Sequence, residues 1–131
     1  MSYIGNVKLS MSAKRVWETL GYLKPKLQFS YTREFYDAFC YNRRSLPFDF
    51  AIKKRGKLYL VEFSDGKLPH PNASAKEQFC GANNIPLLVL GEPEVWNGEL
   101  EDILRGFLNT KVTGKQNVRP SRSSWYFWFY E

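Results

Sequence analysis

Between residues 46 and 64 apolar positions alternate with polar or small ones, and the pattern then turns back on itself. Phe48, Phe50 and Ile52 lead up to Arg55-Gly56, and Tyr59, Val61 and Phe63 lead away from it. A period of two predicts two strands, and Arg55-Gly56 predicts a two-residue hairpin loop in which glycine supplies a backbone conformation the turn needs. With that loop Lys54 faces Lys57, and counting back along both strands sets Asp49 opposite Glu62. Phe48, Phe50, Ile52, Tyr59, Val61 and Phe63 then form a core face. Asp49, Ala51 and Lys53 share the other face with Leu58, Leu60, Glu62 and Ser64.

The rest of the chain supplies helices and further strands. Ala13, Val16, Trp17 and Leu20 fall at helical spacing, with Ser10 or Ser12 as the cap and Gly21 as the end. Residues 27–31 are expected as a strand beside the hairpin, and residues 1–9 as a short arm or edge strand. Ser74-Ala75-Lys76-Glu77 reads as a capping box, which predicts a helix over 75–82. Residues 85–90 are almost continuously apolar, as in an interior strand buried on both faces. Hairpin strand, helix and this strand make a βαβ crossover, with Lys76 in the first helical turn facing the cleft between the strand ends. Gly91-Glu92-Pro93 ends the strand. Asn97 is expected to cap a last helix with the stripe Leu100, Ile103, Leu104 and Phe107.

This alternation predicts a single α/β domain over residues 1–108. Residues 109–131 differ: Lys111, Lys115, Arg119 and Arg122 occur without an acidic residue until the last position, and 125–130 are all aromatic. They read as a basic linker and a terminal strand docked on the domain, since six exposed aromatics invite aggregation. The other reading is a basic arm with a stacking platform.

Charge narrows the function. The 131 residues carry a net charge of +6, and the pI is about 9.4, which points to an anionic partner and to nucleic acid first. Lys14 and Arg15 lie off the first helix's apolar stripe, as phosphate contacts or as a solvated face. Residues 23–44 interleave Lys24, Lys26, Arg33, Arg43 and Arg44 with tyrosines, a mixture that suits nucleic acid or half-buried rings over a sheet. Cys40 and Cys80 make no disulfide framework, which implies a reducing compartment. No apolar run reaches membrane-spanning length and residues 1–20 lack a signal-peptide pattern, so a cytoplasmic protein is expected.

Two carboxylates facing each other across a hairpin repel, so Asp49 and Glu62 require a cation or a shared proton. Mg²⁺ suits such a pair, because it takes hard oxygen ligands and keeps waters for chemistry. A register slip of one residue would instead leave one carboxylate in solvent and no site.

The order Pro47-Phe48-Asp49-Phe50, hairpin, Val61-Glu62-Phe63, Asp65-Gly66, His70, Lys76, Cys80, Asn84-Ile85 and Leu87 to Leu90 resembles the PD-(D/E)XK nuclease superfamily. It is similar to the small branch of very-short-patch repair and phage homing-type endonucleases, over residues 10–107. The resemblance implies a restriction-endonuclease-like mixed sheet flanked by helices, and Mg²⁺- or Mn²⁺-dependent hydrolysis of DNA by a phage or bacterial enzyme, monomeric or homodimeric. If phage-encoded, it would act in the host cytoplasm. Asp49 and Glu62 would hold the metal, with Asp65 as a further ligand and Glu18 as one that relatives sometimes add. Lys67 or Lys76 would stabilise the pentavalent phosphorus, and His70 would act as base or orient the water. Lys14, Arg15, Arg43, Arg44, Lys111, Lys115, Arg119 and Arg122 would contact DNA. Two departures stand out: Ser64 occupies the superfamily's lysine position, and it separates Phe63 from Asp65-Gly66. They support an alternative, a catalytically inactive module of nuclease fold that binds nucleic acid or a protein partner.

Overall fold

The computed structural model describes residues 2–4, 7–35, 39–41, 44–45, 48–64 and 73–116. Its elements in chain order are β1 (Ser2–Ile4), β2 (Val7–Leu9), α1 (Met11–Leu27), β3 (Ser30–Phe35), β4 (Phe39–Tyr41), β5 (Arg44–Ser45), β6 (Phe48–Lys54), β7 (Lys57–Phe63), α2 (Ala73–Ala82), β8 (Leu87–Leu90), α3 (Glu92–Trp96) and α4 (Leu100–Leu108). The central sheet runs β3-β6-β7-β8, and β1-β2 and β4-β5 are separate small pairs. β6 is antiparallel to β3 and β7, whereas β7 and β8 are parallel and joined through α2. The chain is thus a single α/β domain with a mixed sheet flanked by helices, as expected.

The hairpin has the expected register, Lys54 beside Lys57 and Phe50 beside Val61. Arg55 (φ 53°) and Gly56 (φ 75°) are both left-handed, as a two-residue I′ turn matched to the strand twist requires. One face of the sheet packs Phe50, Ile52, Tyr59 and Val61 against α1, α3 and α4 through Val16, Leu20, Leu23, Val95, Leu100 and Leu104. The other face is closed as well: Ala51, Leu58 and Leu60 are buried with Cys80 of α2 and Ile85. The sheet is therefore the middle of three layers rather than half-buried. Phe48 departs from the alternation and packs with this second cluster. The β6–β7 ladder ends at Phe50, so no backbone pairing with β7 holds Phe48 to the first face.

Several expected boundaries move. α1 runs through Gly21 and Pro25 to Leu27, with Gln28 left-handed at its end. Leu23 continues the apolar stripe and is fully buried. That burial, about 1.5–3 kcal/mol, outweighs the roughly 1 kcal/mol cost of an interior glycine. A Cβ on Gly21 would stand 3.0 Å from the Tyr31 hydroxyl, so the glycine serves close packing rather than termination. β3 accordingly starts only at Ser30. α2 begins at Ala73, which puts Ser74 inside the first turn rather than at the cap. β8 is the edge of the central sheet among the described residues, not an interior strand, and Val89 is 52% exposed.

Pro93 opens the unexpected short helix α3, because proline lacks only an N–H that the first helical turn leaves unused anyway. Trp96 donates its indole N–H to Ser12 Oγ (2.8 Å), which ties α3 to α1. The cap of α4 is Glu99, and Asn97 Oδ1 accepts the Glu99 N–H (3.0 Å) in the turn before it. Residues 109–116 then return along the hairpin: Tyr59 donates its hydroxyl to the Thr110 carbonyl (2.8 Å). The Gln116 amide accepts the Leu58 N–H (2.8 Å) and donates to the Leu58 (3.0 Å) and Asn84 (3.1 Å) carbonyls. The proposed aromatic terminal strand lies outside the described residues.

Candidate active site

The hairpin register continued past the ladder brings Asp49 level with Glu62, and the two exchange hydrogen bonds. The Asp49 N–H donates to Glu62 Oε1 (3.0 Å), and the Phe63 N–H donates to Asp49 Oδ2 (2.7 Å). Side-chain carboxylates thus replace the ladder's carbonyls at the open end of the hairpin. Each is held in place by a backbone amide of the opposite strand. No register slip occurs.

The cation that this pair requires is present in the chain. Lys76 Nζ donates to Glu62 Oε2 at 2.7 Å, in a contact where both groups are buried. Its ammonium also lies 5.1 Å from the centroid of the Phe48 ring, whose π-face attracts positive charge. Phe48 in turn packs on Phe79 of α2, with ring centroids 6.4 Å apart. Its departure from the expected face therefore serves the site. Burial first, and the Asp49 charge second, push the Glu62 carboxyl above the ordinary glutamate range; Lys76 and the Asp49 amide oppose that rise.

Beside these groups a pocket of about 190 Å³ is lined by Glu62, Phe63, Ser64, Lys76 and Glu77. At about 30 Å³ per water, it has room for a phosphate-sized anion with a few waters, not for a drug-sized ligand. It adjoins the carboxyl end of β7 and the first turn of α2, and runs along β8 through Leu87 and Val89. The donor set fits a hard divalent ion. The two carboxylates present only oxygen, and each keeps acceptor capacity beyond the hydrogen bonds above. Among the described residues no third His, Cys, Asp or Glu joins them.

The sequence-derived site is thus brought together at Asp49, Glu62 and Lys76. Asp65, Lys67 and His70 lie outside the described residues, as do Arg43, Arg119 and Arg122. Arg44 lies in β5. Arg15, expected as a phosphate contact, is committed to packing: its Nε donates to the Val95 carbonyl (3.0 Å) and its guanidinium lies over Trp96. Lys14 pairs with Glu18 at 3.5 Å, which also commits that glutamate away from the carboxylate pair. Lys111 and Lys115 are exposed. Sequence reading missed Phe48 as part of the site, because alternation assigned it to the far face; only its neighbour Asp49 carried a chemical signal. No helix among the described residues is long and apolar enough to cross a membrane. Comparison of the chain with protein-family models, curated proteins and solved structures finds no match.

Proposed function

We propose that this protein is a metal-dependent endonuclease that hydrolyses DNA phosphodiester bonds, with Asp49, Glu62 and Lys76 as its working groups. The observation that supports this reading most is the buried Lys76–Glu62 contact (2.7 Å) beside Asp49. It sets one carboxylate and one ammonium on the wall of a phosphate-sized pocket, with a second carboxylate, Asp49, held beside Glu62 through its own backbone amide. Stability alone gives little reason for such a pair, because burying charge is costly and an apolar replacement is often as stable.

Asp49 and Glu62 would hold Mg²⁺ or Mn²⁺ through their carboxylate oxygens. When bound, the ion supplies a water of lowered pKa and neutralises charge on the scissile phosphate. The amides of Asp49 and Phe63 keep both carboxylates in position without rearrangement. Lys76 has three N–H donors, of which Glu62 takes one. The others would stabilise the charge that develops on the phosphoryl oxygens. Water oxygen bonds to phosphorus and loses a proton as the bond to the leaving sugar oxygen breaks, and that oxygen takes up a proton from solvent, so that the two proton transfers balance.

Cleavage of duplex, branched and single-stranded DNA with Mg²⁺ or Mn²⁺ tests the reading. Asp49→Asn and Glu62→Gln should each abolish cutting while DNA binding persists. Cutting that survives both substitutions rejects this site.

A second reading is a binding module without turnover. It is favoured by the same lysine, since an ammonium already on Glu62 Oε2 compensates the carboxylates without a metal. DNA binding by the wild type with no cutting under either metal would establish it.

A further inference from the structure

The closed end of the hairpin carries a concentration of positive charge that the carboxylate site does not use. Lys53, Lys54, Arg55 and Lys57 surround the turn, five residues from Asp49, or about 17 Å along β6. Arg55 lines two clefts, one on each side of the turn. The first, about 530 Å³, lies against the end of α1 and is lined by Lys24, Lys53, Gln28 and Ser30. The second, about 500 Å³, lies between the hairpin and residues 108–112 and is lined by Lys54, Lys57 and Lys111. Among the described residues no acidic side chain lines either cleft.

Three local choices at this tip oppose stability. Lys54 and Lys57 are direct cross-strand partners, and like charges so placed destabilise a hairpin. Arg55 is left-handed at φ 53°, at a position where Asn or Asp before glycine is preferred. The Lys54 ammonium is partly desolvated and donates to the Leu108 carbonyl (3.0 Å); burial first and Arg55 second push its pKa below the ordinary lysine range. Lys24 can be explained by the negative end of α1, and Lys54 by that of α4, whose last carbonyl it meets, but Arg55 and Lys57 have no such helix end. Coinciding departures from local preference of this kind mark functional positions.

We infer that the hairpin tip and its two flanking clefts are a docking surface for the phosphate backbone of duplex DNA, separate from the carboxylate site. A ridge bearing Arg55, with cations in the hollows on both sides, suits a row of evenly spaced phosphates. The choice of DNA among polyanions rests on the proposed endonuclease reading; the demand for a polyanion rests on the charges alone.

The test is fluorescence anisotropy of the full chain with a short labelled DNA duplex in EDTA, where cleavage plays no part, at salt from about 50 to 200 mM. Arg55→Gln/Lys111→Gln removes two exposed cations. It should weaken binding about tenfold or more and reduce the slope of log K against log salt by about 2, at 0.9 per phosphate contact. Arg105→Glu, an equal change of charge elsewhere, at a residue paired with Glu101, should leave both nearly unchanged, and Arg55→Lys/Lys111→Arg should retain binding. Equal weakening by the tip variant and by Arg105→Glu would overturn the proposal, because binding would then follow net charge. So would an unchanged affinity of the tip variant. Displacement of the duplex by polyglutamate, at equal charge and with the same dependence on Arg55 and Lys111, would assign the surface to acidic protein instead. Binding in EDTA is independent of turnover, so a chain that never cuts DNA can still pass this test, and a chain that fails it can still cut.

Discussion

Lys76 and Glu62 come within 2.7 Å of each other from opposite sides of one connection, the lysine on α2 and the glutamate on the strand that precedes it. The contact neutralises a carboxylate that would otherwise stand against Asp49 in a buried place. It also fastens α2 to the sheet at the edge of the pocket. Stability and the proposed chemistry thus depend on the same ammonium.

Removing that ammonium should be costly. Lys76→Met leaves the buried Glu62 without its counter-charge, and unfolding by urea at neutral pH should show a loss of about 3–5 kcal/mol. The double variant Glu62→Gln/Lys76→Met removes both members and should regain much of the loss. A single variant as stable as the wild type would show that the pair contributes nothing.

The pH dependence follows from the raised Glu62 pKa. Between the unfolded value near 4.3 and the higher folded value, the native state holds more protons than the unfolded chain. Glu62's contribution to stability is therefore fully present below the unfolded pKa and is lost as pH rises through the folded one. The loss should be larger and reach to higher pH in Lys76→Met, where only the Asp49 amide still opposes burial. In a Glu62→Gln chain this component should vanish, as denaturant midpoints across mildly acidic pH would show.

Gln116 closes the edge of β7 beyond the end of β8. Its amide meets both backbone groups of Leu58 and the Asn84 carbonyl. Gln116→Ala leaves these without their side-chain partner and should cost about 1–3 kcal/mol. Faster amide exchange at Leu58 in the variant, with little change at Ile52, would localise the effect.

At the hairpin tip stability and the inferred binding should separate. Arg55→Asn suits the left-handed turn better and should raise stability by about 0.5–1 kcal/mol, while DNA affinity falls. Thermal melts and the anisotropy assay on the same sample would check both directions.

The hairpin was legible because its information is local. Alternation, a turn dipeptide and counting set Asp49 against Glu62, and the register agrees. Helix α4 was legible for the same reason, since Leu100 and Leu104 repeat at helical spacing and are buried. The end of α1 was not, because Gly21 marks a stop only when its neighbours are ignored. The Tyr31 hydroxyl that a Cβ there would crowd, at 3.0 Å, comes from a different element. Phe48 left its expected face for a similar reason: its partners Lys76 and Phe79 are distant in sequence.

The sequence by itself determined which residues form strands and helices in the best-patterned stretches, and which carboxylates face each other, since both follow from backbone periodicity and a two-residue turn. Only the tertiary structure decided that β8 lies at the edge among the described residues, that both faces of the sheet are closed, that Arg15 is spent on packing, and that Lys76 reaches Glu62. Those outcomes depend on which layers cover which faces. Layer packing is set by contacts between residues far apart in the chain, and no local pattern encodes it.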